Sequence, residues 1–288
     1  MTPGTVYDKV KNDDAVQEFF GKNTPPPVVI NVTNVAEYVL SSKDHAWSWE
    51  DFPNVAPPFE RFWMEYRNPD TPSEWIMCAF KATELEADAE RWGSATNERT
   101  VPAADVRWEM VATIFLTNQR LLAKKPPAAL DFLAHFLGVA HDGHMVARDI
   151  MSSQWYFDAL VADKIPGPNF MIAPFGLALS LMHCKNVTVE SHEPPRLSRI
   201  LEKKGVKPQV RYHTLAIEPM KQVLRREGQS EKTGLKRALH ICRGHFKDYS
   251  KHGLFGKYKG MYWWESHARG STDEGTVIKD YAVKQPRA

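Results

Sequence analysis

A chain of 288 residues that is 43% hydrophobic and 25% charged can build one large core or two modest ones, and this composition excludes wholesale disorder. Its three cysteines, Cys78, Cys184 and Cys242, are scattered and odd in number, which excludes a disulfide framework and predicts a reducing cytoplasm. The net charge of +2 hides an asymmetry: residues 201–288 hold 19 Lys and Arg against 9 Asp and Glu, net +10, leaving 18 against 26, net −8, for the first 200.

The start "MTPGTVYDKVKNDD" lacks the basic-then-apolar layout of a secretory signal, and residues 1–27 read as a peripheral arm closed by "NTPPP". "VVINVTNV" reads as a β-branched strand, followed by "RFWMEYR", "EWIMCAFKA" and "VRWEMVATIFLTN" as further strands of an antiparallel sheet. "TELEADAERWG" reads as a turn or short helix between them. "AALDFLAHFLGVAHDGHMVARDIM" carries apolar residues at roughly helical spacing after "KKPP" and is expected to be helical. "FGLALSLMHC" reads as a buried helix and "NVTVES" as a strand. The longest apolar stretch, Phe170 to Cys184, is too short for a membrane span and contains Pro174. "HEPPRLSRILEKKGVKPQ" is basic and proline-punctuated, as in a linker. Beyond it come a strand in "VRYHTLAI", a short helix in "EPMKQVLRRE", and strands in "RALHICRGHF", "KYKGMYWWESHARG" and "GTVIKDYAV".

The expected class is α+β, with an antiparallel sheet plus helices in the N-terminal region and a compact, mainly antiparallel β unit with one short helix at the C-terminus. The boundaries expected are an arm at 1–27, an acidic α+β domain at 28–191, a basic proline-containing linker at 192–208 and a basic β-rich domain at 209–288.

The chemistry concentrates in "LHICRGHFKDY" and "YWWESHARG". If both run straight as strands, Trp263, Glu265, His267 and Arg269 share one face, and Gly244 marks a bulge that re-aims His245. Pairing of the two would bring His245 or His240 near His267 and Arg269. One imidazole could then take the proton of a ribose 2′-hydroxyl while another protonates the leaving oxygen. Arg243, Arg269 or Lys279 would stabilise the charge on phosphorus, and Tyr249 could act as acid or phosphate ligand. The candidate catalytic set is therefore His245, His267, Arg243, Arg269, Tyr249 and His240, with Lys247, Lys257, Lys259, Lys279 and Trp263 as nucleic-acid contacts. The alternative is that each histidine is an ordinary hydrogen-bonded residue and that Trp263 and Trp264 are packing.

Other chemistries have thinner support. His240, Cys242, His245 and His267 lack the paired close ligands of structural zinc, so no metal and no cofactor is expected. His141 and His144, with Asp142 and Asp149 nearby, lack the fuller HExxH context. Phosphate-cradling, dinucleotide-binding and serine-hydrolase motifs do not occur.

The run "LHICRGHFKDY…GLFGKYKGMYWWESHARG…GTVIKDYAVK", with "SLMHCKNVTVE" and "RYHTLAI" before it, resembles uncharacterised proteins encoded by phages and prophages over roughly the last third of the chain. That group has no established activity, so the resemblance implies a mobile-element setting in a host cytoplasm and carries no site residues. One helix followed by a sheet bearing His, Arg and Tyr is also similar in layout to small metal-independent ribonuclease toxins. It departs from them in lacking a helical pair before the sheet and in its large acidic N-terminal region.

The expected function is nucleic-acid binding by the C-terminal unit, RNA more than DNA, with metal-independent cleavage as an added activity. The alternative is a non-enzymatic structural or assembly protein of a phage, forming homo-oligomers through its acidic and basic surfaces. A small-molecule enzyme built around Trp47, Trp49 and Trp63 stays open as a third class. No membrane partner is expected.

Overall fold

The computed structural model describes residues 5–41, 51–85, 91–93, 100–102, 106–118, 130–152, 168–192, 212–226, 238–242, 244–264, 267–269 and 271–276. By contacts the chain divides into a larger unit, Met1–His183 with Thr188–Ala216, and a smaller one, Cys184–Val187 with Ile217–Ala288.

The larger unit opens with two short helices, α1 (Tyr7–Val10) and α2 (Asp14–Phe20), then strand β1 (Val28–Asn31) and helix α3 (Thr33–Ser41). "VVINVTNV" is thus a strand turning into a helix. Asn31 ends the strand by accepting the Thr33 N–H on its side-chain oxygen at 3.1 Å, a local bond that asparagine offers the backbone in place of a ladder. The strands β2 (Arg61–Arg67), β3 (Glu74–Glu84) and β6 (Trp108–Asn118) follow as the aromatic and β-branched runs predict, and β4 (Arg91–Gly93) pairs antiparallel with β5 (Thr100–Pro102). Residues 91–93 are therefore strand where a turn or helix is expected, and 86–90 lie outside the described residues.

The helix expected over "AALDFLAHFLGVAHDGHMVARDIM" is not there: β7 (Leu130–Val139) and β8 (Met145–Ser152) form an antiparallel hairpin. A near-continuous apolar run fits either period, and here "DG" at Asp142–Gly143 decides, because Gly143 turns the chain at φ +89°. His141 and His144 consequently flank a hairpin turn, where the Ala140 N–H donates to the His144 carbonyl at 2.8 Å. Helix α4 (Pro168–Met182) is buried throughout Met171–Leu181, as its uniform apolarity demands. Strands β9 (Val187–His192) and β10 (Tyr212–Ile217) complete an eight-stranded sheet of order β8-β7-β6-β3-β2-β1-β10-β9. Pairing is antiparallel from β8 to β2 and parallel from β2 to β1 to β10, with α3 as the crossover from β1 to β2.

Strand β2 is buried on both faces, which is why "FWMEY" reads as one unbroken run. On one face, Phe62 stacks on Phe80 at 4.4 Å, and the Tyr66 hydroxyl donates to the Met171 carbonyl of α4 at 3.2 Å. On the other, Trp63, Met77, Ala79, Phe115 and Val29 pack against Val6, Tyr7, Val10, Val16 and Phe20. Residues 5–20, read from sequence as part of a peripheral arm, therefore cover one side of the sheet. Their anchor is Glu65, fully buried on β2, whose carboxylate accepts the N–H groups of Val6 at 3.0 Å and Tyr7 at 2.9 Å and the Trp63 indole N–H at 3.1 Å. The Val6 and Tyr7 groups are orphan donors at the start of α1 that no local side chain caps.

The smaller unit holds helix α5 (Met220–Arg226) and strands β11 (Ala238–Cys242), β12 (His245–Asp248), β13 (Met261–Trp264), β14 (His267–Arg269) and β15 (Ser271–Thr276). Its core joins Met220, Val223 and Leu224 of α5 to Tyr258, Tyr262 and Trp264. Cys184–Val187 lies along β13: the Lys185 N–H donates to the Met261 carbonyl at 2.9 Å. The buried Asn186 side chain donates to the carbonyls of Glu218 and Trp263, each at 2.9 Å, and accepts the Trp263 N–H at 3.0 Å. No helix among the described residues is long and apolar enough to cross a membrane.

Candidate nucleic-acid interface

The two stretches singled out in sequence do pair. β11 runs antiparallel to β14 with Cα partners His240–Arg269 and Cys242–His267, and β12 runs antiparallel to β13 with His245–Trp264 and Lys247–Tyr262. One register holds across both ladders, but the first stretch is not a single straight strand: it breaks at Gly244, where glycine disfavours a continuous strand. Glu265, expected to share a face with Trp263, His267 and Arg269, lies outside the described residues.

Of the candidate catalytic residues, His240 and Arg269 are register partners, while His267 is the register partner of Cys242 and His245 that of Trp264, so of the two alternatives His240 is the one placed opposite Arg269. Tyr249 packs at the edge of the core, its ring 6.0 Å from that of Tyr262. Arg243 and Lys279 lie outside the described residues. Among the expected nucleic-acid contacts, Lys247, Lys257 and Lys259 are exposed. Trp263 is not an exposed platform: it is 2% exposed, its ring lies 4.7 Å from Phe246, and its backbone is held by Asn186. That burial follows from position, since Phe246 and Trp263 pair in the middle of the ladder.

Around this ladder the charge is one-sided. Residues 244–264 contain Lys247, Lys251, Lys257 and Lys259, all exposed, and one carboxylate, Asp248. The Ser250 hydroxyl and N–H donate to Asp248 at 2.5 and 2.8 Å, which holds its carboxyl below the usual range. The Lys247 ammonium sits 4.7 Å from the centre of the Trp264 ring, which keeps its position while its charge stays in solvent. Between β12 and β13 the loop carries three residues the sequence reading passed over, Lys251, His252 and Phe255, all exposed. The signal was the spacing of "KHGLFGKYKG", an aromatic residue among lysines and glycines with no acid.

A second arrangement sits on β9 and β10 of the larger unit, where residues far apart in sequence meet. Ser191 Oγ lies 3.0 Å from His213 Nδ1, and His192 Nε2 lies 2.7 Å from Thr214 Oγ1 with its ring stacked 4.8 Å from Tyr212. Burial, and next His192, holds the His213 imidazole below its usual pKa. A serine bonded to a neutral imidazole is the first element of nucleophile activation. Here the serine lies on an exposed stretch of strand, so a cross-strand hydrogen bond accounts for the pair. Among the described residues no three of His, Cys, Asp and Glu gather into a metal-binding group. No protein-family model, curated protein or solved structure matches this chain.

Proposed function

We propose that the smaller unit binds nucleic acid, RNA in preference to DNA, through the exposed surface from His245 to Lys259. The observation that carries this reading is the set of four exposed lysines facing solvent with a single carboxylate, itself engaged by Ser250. Lysines so placed would contact phosphate oxygens and release counterions, which makes binding salt-dependent and largely independent of sequence. The test is fluorescence anisotropy of labelled RNA across a range of salt. Each of Lys247→Ala, Lys257→Ala and Lys259→Ala should lower the magnitude of the log–log salt slope by roughly 0.7 for a single strand. Binding that ignores salt would overturn the proposal.

A second reading, metal-independent cleavage, is favoured by the pairing of His240 with Arg269 and of Cys242 with His267. In that chemistry an imidazole takes the 2′-hydroxyl proton and the 2′-oxygen attacks phosphorus. A second acid then protonates the departing 5′-oxygen, leaving a cyclic phosphate and a 5′-hydroxyl. Cleavage persisting in EDTA and abolished by His267→Ala is the expected result; intact RNA in both would remove this reading and leave binding untouched.

A further inference from the structure

We propose that Phe255 is a base-stacking finger, so that the surface described above takes unpaired nucleotides; this rests on the nucleic-acid reading. Leu254 and Tyr258 close a tight turn: the Leu254 N–H donates to the Tyr258 carbonyl at 2.9 Å, and the Lys257 and Tyr258 N–H groups donate to the Leu254 carbonyl at 3.2 and 3.1 Å. Both central residues are left-handed, Phe255 at φ 53° and Gly256 at φ 72°. Turns of this kind are built from Asn-Gly or Gly-Gly, and a bulky side chain at their first central position is strained. Phe255 is the only non-glycine residue with positive φ among the described residues. At 52% it is also the most exposed of their large hydrophobic side chains. Nothing in folding requires a phenyl ring there, since glycine or asparagine would make the same turn without strain. Strain kept at an exposed aromatic points to use of the ring itself.

The mount is firm. Tyr258 is buried in the core of the smaller unit with Met220, Val223 and Leu224, and Leu254 packs against it, so the tip projects from a fixed base. A ring so held loses little freedom on binding. Lys251, His252, Lys257 and Lys259 surround it in sequence, all exposed, and no acidic residue occurs from Tyr249 to Trp264. An aromatic face among cations is what a flexible polyanion with accessible bases requires: lysines take the phosphates and the ring stacks on a base. A duplex offers no unpaired base to that ring. A lipid surface requires more apolar area than one side chain, and the flanking Leu254 and Tyr258 belong to the core.

The test compares the full-length protein and its variants on a short labelled RNA of mixed sequence, on the same sequence as a blunt duplex, and on phosphatidylserine–phosphatidylcholine vesicles. Wild type should prefer the single strand. Phe255→Ala should weaken single-strand binding by about tenfold or more with little change on the duplex, and Phe255→Trp should retain it. Phe255→Gly relieves the backbone, so its melting temperature should not fall while its single-strand affinity does. If Phe255→Ala and Phe255→Gly bind the single strand as wild type does, the finger is wrong and the lysine surface stands. If wild type binds neither nucleic acid, both proposals fall. Vesicle binding that Phe255→Ala abolishes, without preference for the single strand, overturns the finger in favour of an anionic lipid surface.

Discussion

Replacing Glu65 by glutamine tests how residues 5–20 are held to the sheet. The carboxyl is fully buried and accepts three N–H donors, from Val6, Tyr7 and Trp63. Burial pushes its pKa up from 4.5 to about 7, while the three donors pull the other way. A group raised in the folded state contributes its full stability below the unfolded value and loses it as pH rises through the folded one. At about 1.4 kcal/mol per pH interval of one, the window from 4.5 to about 7 amounts to about 3 kcal/mol, lost between acid and neutral pH. Glutamine does not titrate, and its amide nitrogen must face one donor, Val6 N–H on the better fit, at a cost of about 1–3 kcal/mol. Glu65→Gln should therefore be less stable than wild type at about pH 5, and the deficit should shrink or reverse at about pH 8. Urea unfolding at both pH values, followed by tryptophan emission, gives the two differences. A stability difference that does not change with pH would refute the reasoning, because it would mean that Glu65 does not titrate in that window.

Asn186→Ala removes three hydrogen bonds, two of them buried, to Glu218 and Trp263 and should cost the smaller unit about 2–4 kcal/mol, read by hydrogen exchange at Trp263. Unchanged protection there would show that the segment from Cys184 to Val187 is not needed. Gly176→Ala would drive a methyl group into the Phe52 ring. Despite alanine's helix preference it should destabilise by about 1–2 kcal/mol, checked by thermal unfolding. Lys247→Ala removes the ammonium over Trp264 and should cost no more than about 1 kcal/mol, so any larger loss of RNA affinity reports phosphate contact rather than folding.

Much of the sheet was legible because its strands are long aromatic and β-branched runs, and α4 because its apolarity has no polar side. The hairpin of β7 and β8 was missed because "LDFLAHFLGV" has too many apolar residues to show its period, and the "DG" turn was the decisive local cue. The place of residues 5–20 was not legible at all, since their anchor lies some sixty positions downstream on β2. Nor was that of β10, which pairs with β1 across most of the chain. At the candidate site, the pairing of "LHICRGHFKD" with "MYWWESHAR" could be read from composition, but the break at Gly244 and the burial of Trp263 depend on the packing of the unit. Phe255 carried no sequence cue to its left-handed backbone, because phenylalanine is not a residue that announces one.

The Asn186 clasp also bears on how this polypeptide could be inherited in pieces. The smaller unit is stitched from two lengths of chain, and the strands β9 and β10 of the other unit run between them. A gene fragment starting at Ile217 would encode every strand of the ladder and still lack the side chain that pairs with the Trp263 backbone. A fragment that keeps the clasp has to begin by Cys184, and it then carries β9 and β10 along with the basic ladder.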